Sequence, residues 1–357
     1  MKHLLKISII AILVILNVDV HAQTFTSGKI DDGDGCSWPF NSVAEAPNGD
    51  IYGFWRDGSG SSAVYKLIKW GGSSWTSVGS FNMTQVTAST PFDNASDDVS
   101  LAIDANGYYH VAFRGIENAA CCGQERGICY GYSTNGTSWT FTNVDSYTDA
   151  SGWKNLDDPI IKVDGAGNPH IVAGYRDANN SVVVGGVTYN RLYAIMHYKK
   201  TTTWSKQMFY YQGGASNEIG EISFDLDGSN LPHVAFQAEN NGSGLDGNLI
   251  YIKNTSGTTW STIDTLIKGG TSQAEGIYID IEVDGSGDVY IVSNNYQGAL
   301  KMTTNSSGSF ATSTIRSNAY TSKGNFNITS GNHKFIGIYD GGSGTIKSMV
   351  QEKDSTR

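Results

Sequence analysis

Short stretches of alternating apolar and polar residues recur along the chain, and a similar turn separates them each time. The turns read Asp104-Ala-Asn-Gly107, Asp164-Gly-Ala-Gly167, Asp227-Gly-Ser-Asn230 and Asp284-Gly-Ser-Gly287. A period of two residues predicts strands with a buried face, and a regular spacing of such units predicts a repeat architecture. Aspartate accepts backbone hydrogen bonds in turns and glycine adopts positive φ, so both residue types suit these positions.

The second repeat shows how many strands each unit contains. Its alternating segments are residues 100–104, 109–114, 128–133 and 139–144. Four antiparallel strands joined in sequence order form one blade of a β-propeller. With a degenerate first copy near Gly49 and a last copy over residues 327–350, we predict an all-β fold, a single propeller of six four-stranded antiparallel blades, with seven blades as the alternative. The last copy lacks an outer strand, which residues 24–30 would supply, leaving no open sheet edge.

Residues that recur at the same place in several repeats are expected to build the scaffold. A histidine follows the turn in three copies and a tyrosine in two, at His110, His170, His233, Tyr52 and Tyr290. Equivalent positions in a propeller are held apart around the ring, so these histidines predict packing rather than a metal or catalytic trio. The outer tryptophans are likewise expected to pack between blades, at Trp75, Trp139, Trp204 and Trp260.

Two hairpin turns carry a resemblance to a known family. Ser133-Thr-Asn-Gly136-Thr-Ser-Trp139 and Asn254-Thr-Ser-Gly257-Thr-Thr-Trp260 are similar to a shortened Asp-box, the Ser-x-Asp-x-Gly-x-Thr-Trp hairpin of sialidase-type propellers. The chain therefore resembles the sialidase-like (BNR/Asp-box-type) superfamily across most of its length, which implies a propeller. It lacks the Arg-Ile-Pro element of sialidases, so the resemblance does not carry over their chemistry. Polysaccharide lyases and lectins share such propellers, so the fold alone leaves the function open.

The first 22 residues have the pattern of an export signal. Lys2 and Lys6 precede an apolar stretch over residues 9–16, and Val20-His21-Ala22 resembles a cleavage site. We expect a signal peptide at residues 1–22 and one propeller domain at 23–357, secreted or otherwise extracytoplasmic. The apolar stretch is too short to span a bilayer, and no later segment is longer.

Composition narrows the partners and cofactors. The formal net charge of −10 argues against nucleic acid or an anionic membrane surface as a partner, and we expect a monomer. No cofactor is predicted. Calcium is the weaker alternative, because Asp225-Leu-Asp227 fits the common blade turn and Asp31-Asp-Gly-Asp34 lacks a following glutamate at loop spacing.

Four cysteines in an exported chain favour disulfides. Adjacent cysteines rarely pair, so we expect Cys122–Cys129 with Cys36–Cys121, or the same arrangement with Cys121 and Cys122 exchanged. A cysteine-rich metal site is the alternative, although the chain contains no C-x-x-C spacing.

Residues that differ between repeats are candidates for function. They gather on one face, called here the mouth face, which carries the loops after each second strand and the connections between blades. Arginines and carboxylates alternate there, together with a tyrosine, at Arg56, Asp57, Asp98, Arg114, Glu117, Asp158, Arg176, Asp177 and Tyr296. Arginine donates bidentately to carboxylate or sulfate groups, and aspartate accepts hydroxyl protons. The alternative is ion pairing between blades, such as Arg114 with Asp158.

Tryptophans outside the repeated position map to the same face, at Trp38, Trp55 and Trp153. Sugar rings stack on such aromatic faces, although each tryptophan equally suits a gap between loops. We therefore expect a glycan-binding propeller, with a carbohydrate-active enzyme (a sialidase-like glycoside hydrolase or a polysaccharide lyase) as the alternative. A surface protein that mediates adhesion is the second alternative.

Overall fold

Four-stranded antiparallel sheets in the described part of the chain are arranged as the blades of a propeller. The computed structural model describes residues 42–58, 60–71, 74–116, 124–149, 154–177, 181–214, 218–239, 247–270, 274–317, 326–328, 333–340 and 345–353. Within these residues there are five four-stranded antiparallel sheets, called blades 1 to 5. The inner strand of each blade contacts the inner strand of the next. The predicted all-β propeller is confirmed.

The strand boundaries follow the alternating segments of the sequence. Blade 1 consists of β1 (Ser42–Glu45), β2 (Ile51–Asp57), β3 (Val64–Trp70) and β4 (Trp75–Asn82), and blade 2 of β5 (Asn94–Ile103), β6 (Tyr109–Ile116), β7 (Gln124–Ser133) and β8 (Thr140–Asp149). Blade 3 consists of β9 (Lys154–Val163), β10 (Pro169–Asp177), β13 (Leu192–Lys200) and β14 (Trp204–Gly213). Blade 4 consists of β15 (Ile219–Leu226), β16 (Pro232–Ala238), β17 (Asn248–Lys253) and β18 (Asp264–Ile267), and blade 5 of β19 (Glu275–Val283), β20 (Val289–Asn295), β21 (Leu300–Thr304) and β22 (Ala311–Arg316). Blade 3 also carries an inserted hairpin of β11 (Val182–Val184) and β12 (Val187–Tyr189). A 3-10 turn, Gly60–Ser62, and helix α1, Met83–Thr87, complete the described helical segments.

The predicted number of four-stranded blades is wrong. The last repeat forms a three-stranded sheet of β23 (Phe326–Ile328), β24 (His333–Asp340) and β25 (Thr345–Lys353). The described chain therefore contains five four-stranded blades rather than six or seven. The alternating pattern located the last repeat, but a propeller repeat need not supply four strands. The strand predicted at residues 24–30 lies outside the described residues.

Apolar cores lie between successive blades. Between blades 1 and 2, the ring of Tyr65 stacks on Phe81 at 4.7 Å and contacts Phe113 at 4.9 Å. The middle strands are buried on both faces, and every residue of β16 is buried. Burial of one such aromatic or aliphatic side chain stabilises the fold by roughly 1.5–3 kcal/mol. The interfaces between blades therefore hold the propeller together.

The recurring turn is built by its aspartate in every blade where it occurs. Oδ1 of Asp104 accepts hydrogen bonds from the backbone N–H of Asn106 and Tyr108, both at 2.9 Å. The same two bonds form at Asp164, Asp227 and Asp284. Gly107 has φ +79°, a conformation that glycine adopts without strain. The motif is therefore structural, and the face that carries it is called the turn face.

The recurring histidines are buried and have local partners. In each, Nε2 lies 3.3–3.5 Å from the turn aspartate and Nδ1 lies 2.7–3.0 Å from a neighbouring ring, the pairs being His110 with Tyr130, His170 with His197 and His233 with Tyr251. Burial lowers the pKa of all three. Three outer tryptophans pack against the preceding blade, Trp139 on Phe81, Trp204 on Tyr130 and Trp260 on Phe209. Their predicted scaffold role is confirmed.

Cys129 corrects the predicted disulfides. Its thiol is free and fully buried in β7, in the core shared by blades 1 and 2, and burial raises its pKa. Both predicted arrangements gave Cys129 a disulfide partner, and that bond is absent. The physical reason is that β7 continues through the centre of a sheet, where Cys129 pairs in register with Phe113 and points into the core. Cys36, Cys121 and Cys122 lie outside the described residues.

Candidate functional site

A cavity of about 670 Å³ lies on the mouth face, where the inner strands of blades 3, 4 and 5 begin. Four blades contribute to its wall. The lining residues are Arg114, Asp157, Asp158, Ile219, Gly220, Glu221, Gln237, Ile277 and Tyr296. Six of these nine side chains are polar, so the cavity suits a ligand with many hydrogen-bonding groups.

Two acidic residues of the wall occupy the same position in successive blades. Asp158 and Glu221 each stand six residues before the aspartate of their turn, as do Asp98 in blade 2 and Tyr278 in blade 5. The inner strands bring this position to the mouth face in each blade. Symmetry of the repeat thus places carboxylates side by side around the start of the inner strands.

A β-bulge presents Asp158 to the cavity. In blade 3, Asp157 pairs with Gly174 and Ile160 pairs with Val172, so Asp158 and Pro159 lie opposite one residue. Asp158 has φ +51°, in the left-handed region that aspartate tolerates better than most residues. Bulges redirect side chains and occur often beside functional sites.

Arg114 forms an ion pair between blades rather than pointing alone into the cavity. Its Nη1 donates to Oδ1 of Asp157, on the inner strand of the next blade. The amide of Asn155 donates to the other oxygen of Asp157 at 2.5 Å. The sequence offers ion pairing of Arg114 with Asp158 as the alternative to ligand binding; the bulge turns Asp157 toward Arg114 instead. The pair is partly exposed, with side chains 21% and 34% accessible, so it orders the wall more than it stabilises the fold.

The position of Arg114 also shapes the cavity in the other blades. It lies four residues after the recurring histidine, where blade 4 has Gln237 and blade 3 has Gly174. Gln237 donates to the carbonyl of Glu275 at 3.1 Å and packs on Gly220, where a Cβ would lie 2.3 Å from its Oε1. Gly174 places no side chain at this position, and a Cβ there would lie 3.5 Å from Ile222 of blade 4.

Tyr296 supplies an aromatic surface. It follows β20, and its side chain is 55% exposed, while its backbone N–H donates to the carbonyl of Ala274 at 2.9 Å. The backbone is therefore fixed and the ring is accessible. Such a ring offers a flat apolar face beside the carboxylates of the wall.

The structure brings together only some of the predicted site residues. Arg114, Asp158 and Tyr296 line the cavity, whereas four others do not. Nε of Arg56 donates to the carbonyl of Gly58 at 3.0 Å, and Asp57 pairs with Lys66 at 2.6 Å.

Arg176 lies over the ring of Tyr193 at 5.6 Å, and Asp177 is buried. The Tyr193 hydroxyl donates to Glu218 at 2.7 Å, and burial together with this bond raises its pKa to about 12. These contacts give Arg176 a packing role beside the cavity.

Several predicted residues lie outside the part of the chain that can be described. Trp38, Glu117 and Trp153 are among the undescribed residues, and the side chains of Trp55 and Asp98 are also not described. Their assignment to a binding site stays a prediction.

Glu221 and Gln237 line the cavity but were not among the predicted site residues. The internal alignment contained the signal for both. Glu221 stands six residues before its turn aspartate, exactly as Asp158 does, and Gln237 stands four residues after His233, as Arg114 follows His110. Comparing repeats position by position would have found them.

The described residues contain no group of three or more histidine, cysteine, aspartate or glutamate side chains arranged to hold a metal ion. None of the described helices has the length and hydropathy needed to cross a membrane. Asp225 and Asp227 have protein partners instead, Lys162 for the first and the turn N–H groups for the second.

Comparison with known proteins identifies the fold but no family. No protein-family model matches the sequence, and no curated protein matches it. Several solved propeller structures do match. An α-L-arabinanase of Penicillium chrysogenum, complexed with arabinobiose, is 11% identical with a TM-score of 0.62, over 84% of this chain and 87% of the other.

Two more structures give a similar result. The GH93 α-L-arabinofuranosidase of Fusarium graminearum, also with arabinobiose, is 13% identical with a TM-score of 0.60, over 87% of this chain and 92% of the other. A PL25 ulvan lyase bound to -[GlcA(1-4)Rha3S]- is 14% identical with a TM-score of 0.58, over 87% of this chain and 78% of the other. At these identities the likeness establishes a shared propeller fold.

Proposed function

We propose that this protein is an exported propeller that binds a glycan in the mouth-face cavity. The observation that carries the proposal is the composition of that cavity. Carboxylates from two neighbouring blades, a glutamine and an exposed tyrosine line one space of about 670 Å³. That volume is within the range of small-molecule sites.

The chemistry of the wall suits sugar hydroxyls. Asp158 and Glu221 accept hydroxyl protons, and Gln237 offers both an acceptor and a donor. Tyr296 provides a ring against which the apolar face of a sugar can pack. The propeller fixes all four on different strands, so little order has to be gained on binding.

The structural neighbours support the proposal at the level of fold. Two are named as arabinan-active enzymes in complex with arabinobiose, and a third as a lyase bound to a disaccharide repeat. Each shares the general fold of this chain, with TM-scores of 0.58 to 0.62. The two Trp-ending turns resemble those of sialidase-like propellers, which have a fold of the same general kind.

Substitution of Tyr296 tests the proposal. Tyr296→Ala removes the exposed ring but not the backbone bond to Ala274, so folding should be unchanged. We expect affinity for the bound glycan to fall about tenfold or more, because a truncated aromatic anchor costs over ~1 kcal/mol. Affinity electrophoresis against a panel of polysaccharides measures the change.

The matched control is Tyr108→Ala. Tyr108 lies in the Asp104 turn on the turn face. Its backbone N–H donates to Oδ1 of Asp104 at 2.9 Å, and the substitution keeps this bond. It should leave retention unchanged. Equal loss in both variants, or retention of Tyr296→Ala at the wild-type level, would remove the cavity as the binding site.

Hydrolysis is the second candidate, favoured by the presence of two carboxylates in one cavity. Glycosidases use two such groups, one as acid and one as base or nucleophile. A lyase instead needs a cation that neutralises the substrate carboxylate, whereas Arg114 is bonded to Asp157. The geometry therefore favours hydrolysis over elimination.

Glu221→Gln and Asp158→Asn test the hydrolase. Each keeps the size of the side chain and removes its acid–base chemistry. If the protein hydrolyses glycans, both variants should bind them and release no reducing ends. If the wild type retains glycans but releases no product, the protein is a pure binder. If it shows neither retention nor product, that result supports the alternative of a protein partner.

A further inference from the structure

The cavity carries an excess of negative charge. Among its described lining residues, Asp157, Asp158 and Glu221 are acidic, and Arg114 is the basic residue. The lining therefore contains two more acidic residues than basic ones. A cavity with polar walls of one sign attracts or repels ligands according to their charge.

Arg114 does not offset this charge for an incoming anion. Its guanidinium is bonded to Asp157, and the second oxygen of Asp157 accepts from Asn155. An anion that approaches the remaining N–H groups of this guanidinium also approaches the carboxylate of Asp157. Arg114 thus orders the cavity wall and is not assigned to ligand binding.

Acidic residues continue along the inner strands away from the mouth. Asp225, Asp280 and Glu282 stand on β15 and β19, and Lys162 on β9 lies 3.1 Å from Asp225 and 3.4 Å from Glu282. Carboxylates outnumber the lysine in this second group too. The whole chain also has a formal net charge of −10.

We propose that the cavity selects neutral glycans and excludes chains that carry uronate or sulfate groups, with Asp158 and Glu221 as the residues that determine this specificity. The inference rests on the proposed glycan binding. Hydroxyl groups of a neutral sugar donate to both carboxylates, whereas an anionic substituent meets like charges at short range. One such contact of about 1.4 kcal/mol weakens binding roughly tenfold.

A matched pair of polysaccharides tests the selectivity. Polygalacturonate and its carboxyl-reduced form share linkages and differ in charge, and arabinan, galactan, xylan, alginate and a sulfated galactan extend the panel. We expect neutral polymers to be retained at least tenfold more strongly than acidic ones. The difference should shrink at high salt, since ions screen exposed charges.

Glu221→Gln links the selectivity to the named residue. It should raise the retention of acidic polymers severalfold relative to that of neutral polymers. Glu45→Gln, at an exposed glutamate of blade 1 near the turn face, is the matched control and should change neither.

The outcomes separate the two proposals. Acidic polymers retained as strongly as neutral ones would overturn the selectivity and leave glycan binding standing. An unchanged preference in Glu221→Gln would overturn the role of that residue. Retention of no polymer of either kind would overturn the proposed function and the selectivity with it.

Discussion

Lys162→Met perturbs a cluster of charged side chains on the inner strands of blades 3 to 5. Nζ of Lys162 lies 3.1 Å from Asp225 and 3.4 Å from Glu282, and Asp280 accepts a hydrogen bond from Ser223 at 3.1 Å. These residues sit two or four positions before their turn aspartates, so the repeat brings them together. The substitution removes the only cation of the described group and keeps most of the apolar stem.

The size of the effect follows from burial. Removing one partner of a fully buried ion pair costs roughly 3–5 kcal/mol, because the remaining charge has no compensation. Asp225 and Glu282 are 11% and 14% exposed, but Lys162 is 31% exposed, so water already screens part of its charge. We therefore expect a loss of about 3 kcal/mol in the free energy of unfolding at neutral pH.

The pH dependence gives a sharper test. Burial raises the pKa of Glu282 to about 8, with Asp225 and Asp280 adding to the shift and Lys162 partly opposing it. Burial alone would lower the pKa of Lys162, but the carboxylates outweigh it and raise the value. A pKa raised by folding gives stability that is complete below the unfolded value and is lost as pH rises through the folded value. The contribution of Glu282 to the stability of the wild type should thus be lost from about pH 5 to pH 9.

Lys162→Met should lose more than the wild type over the same range, because its carboxylates ionise without a cation. Urea unfolding at pH 5, 7 and 9 measures the difference, with the exposed Lys253→Met as the matched control, expected within about 0.5 kcal/mol of wild type. Glu282→Gln should flatten the pH dependence. A cost below about 1 kcal/mol at pH 9, or the same cost at pH 5 and pH 9, would refute the reasoning.

Three further predictions concern the cavity, the buried histidine pair and the free thiol. Gly174→Gln should abolish glycan retention and leave the unfolding temperature nearly unchanged, because a Cβ there meets only Ile222 at 3.5 Å and a carbonyl at 3.7 Å; retained binding would show that this position does not bound the site. Burial lowers the pKa of His197 to about 3 and that of His170 to about 4. The stability that these two neutral histidines contribute should therefore fall between pH 6.5 and pH 4. His197→Tyr should reduce that loss by about 2 kcal/mol, as measured by urea unfolding at pH 4.5. Cys129 should resist iodoacetamide in the native protein and react in urea, as followed by mass spectrometry, and rapid native labelling would contradict its burial.

The strand pattern could be read from sequence because it depends on local physics. The blade-2 segments predicted at residues 109–114 and 128–133 correspond to β6 and β7, which extend only a few residues further. Alternation of apolar and polar residues follows from the pleat of a strand, and the turn aspartate acts within four residues of itself. Both effects are complete within one hairpin, so no distant part of the chain was needed.

The partner of Arg114 could not be read in the same way. Counting residues along β9 gives two adjacent aspartates, and either one suits an ion pair across the blades. The bulge at Asp158 and Pro159 decides for Asp157. A bulge changes which face a side chain takes, and the sequence pattern does not specify where the extra residue is absorbed.

The disulfide predicted for Cys129 was wrong for a related reason. Its spacing from Cys121 and Cys122 suits a disulfide loop, and only the packing of β7 against the neighbouring blade shows that its thiol is enclosed. Sequence spacing measures how close two residues are along the chain. It does not measure whether a side chain points toward a loop or into a core.

By itself, the sequence determined the repeat, the strands within it, the scaffold role of the turn residues and the face on which the copies differ. Only the tertiary structure decided that five described blades have four strands, that Arg114 is bonded to Asp157, and that Asp158, Glu221, Gln237 and Tyr296 share one cavity. The reason is the range of the forces involved. Backbone geometry and turn chemistry act over a few residues, whereas the cavity is formed by strands from four blades whose spacing is set by the packing between them.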